Sequence, residues 1–301
     1  MTPAFADRLV AGTRELGPLC VGIDPHPALM PSLFGSPGPD SARRWGRAVV
    51  DVCVGRAAVV KPQAGLFERW GHRGMEALES VCAAATDAGL LVILDAKRGD
   101  IGTTAEGYAE GYLGPTADIP CDAITVNPYM GLDSLEPFVA VAEKQGRGVA
   151  VLVCTSNPGS KDFQALPIAA PDGSAEPLYI HVARSLGPMI ERLKGASGWS
   201  GLMLVAGATG PKEAARIRAA APDALFLVPG YGAQGAGPRD AMAGFVKGPS
   251  GLEGGVVSAS RSVSMPEAAK SAHGSEEWYR AVSGAIEAAQ AELVAAARTE
   301  D

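Results

Sequence analysis

The feature that most constrains this chain is a repeated alternation. Short runs rich in apolar and β-branched residues recur, and most are followed by a longer, Ala-rich stretch. The runs are LCVGID (19–24), AAVVK (57–61), LLVILDAK (90–97), CDAITV (121–126), GVAVLVC (148–154), GLMLVAG (201–207), ALFLVPG (224–230) and GVVSAS (255–260). Helix-like segments lie at 40–55, 67–88, 133–145, 176–194, 211–220 and 275–298. Continuous apolar runs of this length suit strands buried on both faces, and strand–helix alternation implies a parallel sheet. Eight such units predict a closed (β/α)8 TIM barrel, α/β in class. The 301 residues then form one domain, 1–301, in which a leading helix and long loops take up the excess over about 250 residues.

Two connections are long. Residues 155–176 follow the fifth strand and 229–253 follow the seventh, and both are rich in Gly, Pro or Ser. Loops of this length usually cover or form a site, and barrel sites are built at the C-terminal ends of the strands.

Composition removes several classes. Apolar residues make up 47% of the chain and charged residues 20%, which is ordinary for a globular domain. A net charge of −7 argues against a general nucleic-acid or anionic-membrane surface. No apolar run is long enough to span a bilayer, and the N-terminal segment, with Asp7 and Arg8, does not read as a signal peptide. The five cysteines are scattered, with no zinc spacing, which fits free thiols in a reducing cytoplasm. Cys154 has no nearby histidine to make it a nucleophile. His26 lies near the barrel mouth, whereas His72, His181 and His273 read as surface residues. The four tryptophans are dispersed and read as packing.

The strand ends carry the chemistry. Asp24 ends the first strand, Lys61 the second, Asp95 and Lys97 the third, and Asp100 follows three residues on. A period of two turns Asp95 and Lys97 to the same side. Burying such charges costs several kcal/mol of desolvation per ion, so apolar residues would stabilise a barrel better. Carboxylates hold lysines protonated, and a fixed ammonium can act as general acid toward a developing carbanion. A carboxylate facing an anionic substrate group favours its departure. Decarboxylation without a cofactor meets both requirements. At the other end, Gly230, Gly232 and Gly235 allow close backbone approach to a phosphate, with Arg261 as a bidentate partner. GYGAQG (230–235) also fits a dinucleotide-binding pattern, but Pro229 and Pro238 flank it and the helix after it is short.

The segment VILDAKRGDIGTTAEGYA (92–109) resembles the Asp-x-Lys-x-x-Asp signature of the orotidine 5′-monophosphate decarboxylases, above all their longer bacterial branch (type 2). VGIDPHP, VVKPQ, TVNPYMG, CTSNPG, VPGYGAQG and SASRSV extend the resemblance around the barrel. The resemblance implies conversion of orotidylate to uridylate with no metal and no cofactor. It implies that Lys97 protonates C6, that Asp95 presses on the substrate carboxylate, and that Lys61 bridges Asp95 and the ribose. It further implies Asp24 on a ribose hydroxyl, Ser156 on the pyrimidine edge, and Gln234 and Arg261 on the phosphate, beside Gly230. In the family, Asp100 enters the neighbouring subunit's site with Ile101 and Thr104, so a homodimer is implied. Asn127, at the fourth strand end, is a further candidate lining residue.

Two other readings keep the same barrel. Metal-dependent relatives that act on sugar phosphates share the third-strand pattern, but Lys61 stands where a metal site would prefer a carboxylate. A non-catalytic phosphate-binding barrel would retain four buried charges for no catalytic return.

Overall fold

A computed structural model describes residues 3–170, 173–232 and 234–298. Eight parallel strands close into a barrel: β1 (Leu19–Ile23), β2 (Val59–Pro62), β3 (Leu91–Arg98), β4 (Ala123–Val126), β5 (Gly148–Cys154), β6 (Ser200–Ala206), β7 (Ala224–Pro229) and β8 (Gly255–Ala259). Each strand pairs with its sequence neighbours, and β8 returns to β1 with Leu19 opposite Val257. The expected (β/α)8 fold is therefore present.

Strand alternation divides the core into two layers. Cys20, Val59, Ile93, Ala123, Ala150, Met203, Leu227 and Val256 pack inside the barrel, and the residues between them pack outward against the helices. The leading helix Phe5–Leu16 stoppers the lower end. Its Phe5, Ala6, Leu9 and Val10 join the inner layer, while Arg8 pairs with Asp122 at 2.6 Å. On the same floor Arg14 binds Glu253 at 2.8 Å.

Helices differ from the sequence expectation in instructive ways. The segment 67–88 is two helices, Ala64–Glu68 and His72–Asp87, broken where Gly71 turns to φ +62°. The segment 176–194 is likewise split into Leu178–Ser185 and Gly187–Arg192, and its first residues belong to a hairpin instead. The helix Gly102–Leu113 was not anticipated. Its buried face is only Ala105, Ala109 and Leu113, too weak an apolar stripe to read beside its glycines.

Both long connections hold ordered pieces. Pro167–Ala169 pairs with Ala175–Pro177 after β5, and Val246–Gly248 pairs with Gly251–Glu253 after β7. The second hairpin lies on the floor, where Glu253 meets Arg14 and Trp199, so only the first part of that connection reaches the mouth. Pro171, Asp172 and Ala233, which the expected loops include, lie outside the described residues.

Candidate active site

The C-terminal ends of the strands enclose a cavity of about 660 Å³. Asp24, Lys61, Asp95, Lys97, Ser156, Gly230, Gln234 and Arg261, all singled out from sequence, line it together. Asp95 is its organising group. One oxygen, Oδ2, accepts from Lys61 Nζ at 2.7 Å and from Gln63 Nε2 at 3.1 Å. The other, Oδ1, accepts from Lys97 Nζ at 2.5 Å and from Thr125 Oγ1 at 3.1 Å. The Lys61 and Asp95 side chains are only 6% and 10% exposed, whereas that of Lys97 is 47% exposed and opens to the cavity.

This geometry dictates the charges. Burial works against ionisation of Asp95, but the ammoniums of Lys61 and Lys97 prevail and hold its carboxyl well below the usual carboxylate range. Burial likewise opposes the Lys61 ammonium, yet Asp95 and Asp24 raise its pKa above that of an ordinary lysine. The site thus keeps fixed charges of both signs, closely paired, as a buried array must. Asp24 Oδ1 is buried without a hydrogen-bond partner, an acceptor that a ligand hydroxyl would satisfy.

Lys97 reaches the cavity by a route that strand periodicity does not describe. Its φ is +49°, in the left-handed region that a non-glycine residue rarely occupies. The turn around Gly230 (φ +104°) brings that backbone close to Ser156 and Gln234: a side chain at 230 would meet Ser156 Cβ at 3.2 Å and Gln234 Oε1 at 3.5 Å. The same stretch excludes the dinucleotide-binding pattern. Gly232 N–H closes back on the Ala236 carbonyl at 3.1 Å, and only the four-residue helix Pro238–Ala241 follows.

Four candidates stay outside the cavity. The Asp100 carboxylate accepts from the Ile101 N–H at 2.8 Å, and Ile101 and Thr104 face solvent. Asn127 is exposed and accepts from the Tyr129 N–H at 3.0 Å, so within one chain it shapes a turn rather than the site. Sequence reasoning missed Gln63, Thr125 and Gln164, all of which line the cavity. The first two lie two residues beyond inward-facing Lys61 and Ala123, so strand period was the available signal. Burial pushes the Cys154 thiol up to about 11, which leaves little thiolate at neutral pH for nucleophilic attack.

The described residues contain no cluster of three or more His, Cys, Asp or Glu side chains fit to hold a metal. No described helix is long and apolar enough to cross a membrane.

Comparison with known proteins identifies the family and the fold. A Deinococcus radiodurans orotidine 5′-phosphate decarboxylase is 42% identical over 264 residues, covering 87% of this chain and 90% of that one. One from Salinispora tropica is 42% identical over 79% of this chain and 82% of its own. The structure of Leishmania donovani OMP decarboxylase superposes with a TM-score of 0.75 at 32% identity, covering 97% of this chain and 98% of that one. The family model for orotidine 5′-phosphate decarboxylases and HUMPS proteins matches residues 17–264, and the chain belongs to that family.

Proposed function

We propose that this barrel decarboxylates orotidine 5′-monophosphate to uridine 5′-monophosphate and carbon dioxide, in pyrimidine biosynthesis, with Lys97 as the proton donor. One observation carries the reading: Asp95 is clamped between two ammoniums, one buried and one open to the cavity. A substrate carboxylate set against Asp95 is repelled in the ground state. The bond from C6 to that carboxylate breaks, carbon dioxide leaves, and the electron pair stays on C6. The negative charge then lies beside the Lys97 ammonium, which gives C6 a proton and is later reprotonated from water. The charges are in place before the reaction, so they stabilise the transition state more than the bound substrate.

The remaining roles follow from the cavity wall. Asp24 receives a ribose hydroxyl on its unpartnered oxygen, and Lys61 bridges Asp95 and the ribose. Ser156 meets the pyrimidine edge, and Gly230, Gln234 and Arg261 hold the phosphate. No cofactor is required. The Asp95 carboxylate offers about four lone-pair sites, and the donors from Lys61, Gln63, Lys97 and Thr125 occupy them. That saturation disfavours the metal-dependent sugar-phosphate chemistry of a related barrel.

A second copy of the chain completes the site in this reading. Asp100, Ile101 and Thr104 follow β3, and none of them lines the cavity of its own chain. Ile101 is 57% exposed and Tyr129 82% exposed, with Met130 and Leu132 also exposed nearby, an apolar surface suited to burial in a homodimer. Five free thiols fit a cytoplasmic location.

The test is Lys97→Ala. Turnover of orotidylate falls on the order of 10²–10⁴-fold or more, as loss of a general acid does, while uridylate still binds. A variant that kept most of its activity would refute the proton-donor role.

A further inference from the structure

The strands β3 and β4 lose register at the site. Leu94 pairs with Ile124 and Arg98 with Val126, so three residues, Asp95 to Lys97, face the single residue Thr125. A bulge of this kind leaves backbone groups without their ladder partners. Here a side chain replaces the missing carbonyl. The Thr125 hydroxyl accepts the N–H of Ala96 at 3.0 Å and the N–H of Lys97 at 2.9 Å, and donates its own proton to Asp95 Oδ1 at 3.1 Å.

A threonine hydroxyl has one proton and two lone pairs. All three are used, so the two amide donors leave the proton only Asp95 to bind. The same hydroxyl therefore anchors the backbone of Lys97 and orients the carboxylate that holds the Lys97 ammonium. Thr125 is 1% exposed, so no solvent replaces it. On the far side of Lys97, the Arg98 side chain binds Glu68 and the Tyr112 hydroxyl, and its guanidinium lies 5.6 Å from the ring centres of Tyr108 and Tyr112. The left-handed residue is thus held from both sides.

We propose that Thr125 is a positioning residue for proton delivery: its hydroxyl locks the Asp95–Lys97 pair into the geometry in which Lys97 faces the reacting carbon. The inference rests on the decarboxylase reading for its catalytic consequence, though not for its structural one. Thr125→Val removes the hydroxyl and keeps the shape, whereas Thr125→Ser keeps the hydroxyl. The valine variant loses kcat by about 10–100-fold, the range for a lost hydrogen bond to a charged group. Its affinity for uridylate stays within about threefold, and the serine variant recovers kcat to within about threefold of the parent. A valine variant with kcat within about twofold of the parent would overturn the proposal. So would a serine variant as slow as the valine one.

A crystal structure of Thr125→Val supplies a readout independent of turnover. It is expected to show Lys97 out of its left-handed conformation or its ammonium displaced from Asp95. Unchanged Lys97 geometry would overturn the proposal even if the parent proved inactive on orotidylate, an inactivity that would count against the decarboxylase reading alone.

Discussion

Asp95 receives four hydrogen bonds on two oxygens, and Lys97 adopts a backbone conformation that costs about 1–3 kcal/mol in a non-glycine residue. A barrel requires neither feature, since apolar residues packed at these positions would stabilise it at least as well. Both make sense where charge must be held in place before a reaction. The array also gives a stability profile with a definite sign. The folded state holds Asp95 ionised well below its ordinary pKa of 3.8, so its contribution is present above that value and is lost as pH falls beneath it. Lys61 is held protonated above its ordinary 10.5, so its contribution is present below that value and is lost as pH rises beyond it. At neutral pH, Asp95→Asn, which leaves two ammoniums facing a neutral amide, costs about 3–5 kcal/mol in denaturant unfolding. The difference from the parent should narrow below pH 3.8. A difference that stayed constant into the acid range would show that the charge of Asp95 is not what the fold relies on. The charged members of this site were legible in the sequence because burying a charge needs a reason. Gln63, one residue past β2, and Thr125, in β4, carry no charge to explain, and only the strand period pointed to them.

At the scale of elements, the strands were readable because their continuous apolar runs have few other uses. The helix Gly102–Leu113 was hidden by its small buried residues, and the hairpin Pro167–Ala169/Ala175–Pro177 by its lack of apolar alternation. The connection after β5 places Ser156 and Gln164 on the cavity wall before that hairpin departs, and Gln164 ties back to the Thr155 N–H at 2.8 Å. It is therefore the segment best placed to fold over a bound nucleotide, as closing loops do. Limited proteolysis should show cutting between residues 156 and 170 slowed by uridylate, while cutting in the floor hairpin near 249 stays unchanged. Equal cutting with and without the nucleotide would argue that the loop does not close. The expectation that the whole connection 229–253 serves the mouth gives way, because β8 must begin at the floor and the hairpin before it packs there against the leading helix.

For the whole molecule, the barrel is stoppered below by Phe5 and Leu9 and open above, so chemistry is confined to one end. Asp100 does not line the cavity of its own chain, so the role proposed for it requires a second copy. Dilution through the dimer dissociation range should lower activity per mole of protein in step with the monomer fraction, followed by sedimentation and by turnover. Full activity in the monomer would defeat the shared-site proposal. The central claim is that paired charges alone, without a metal, release the carboxylate of orotidylate. The most direct measurement is the loss of orotidylate ultraviolet absorbance on adding purified protein with a chelator present throughout. The account predicts rapid loss, undiminished by the chelator. Activity that appeared only after adding magnesium, or no loss under either condition, would contradict it.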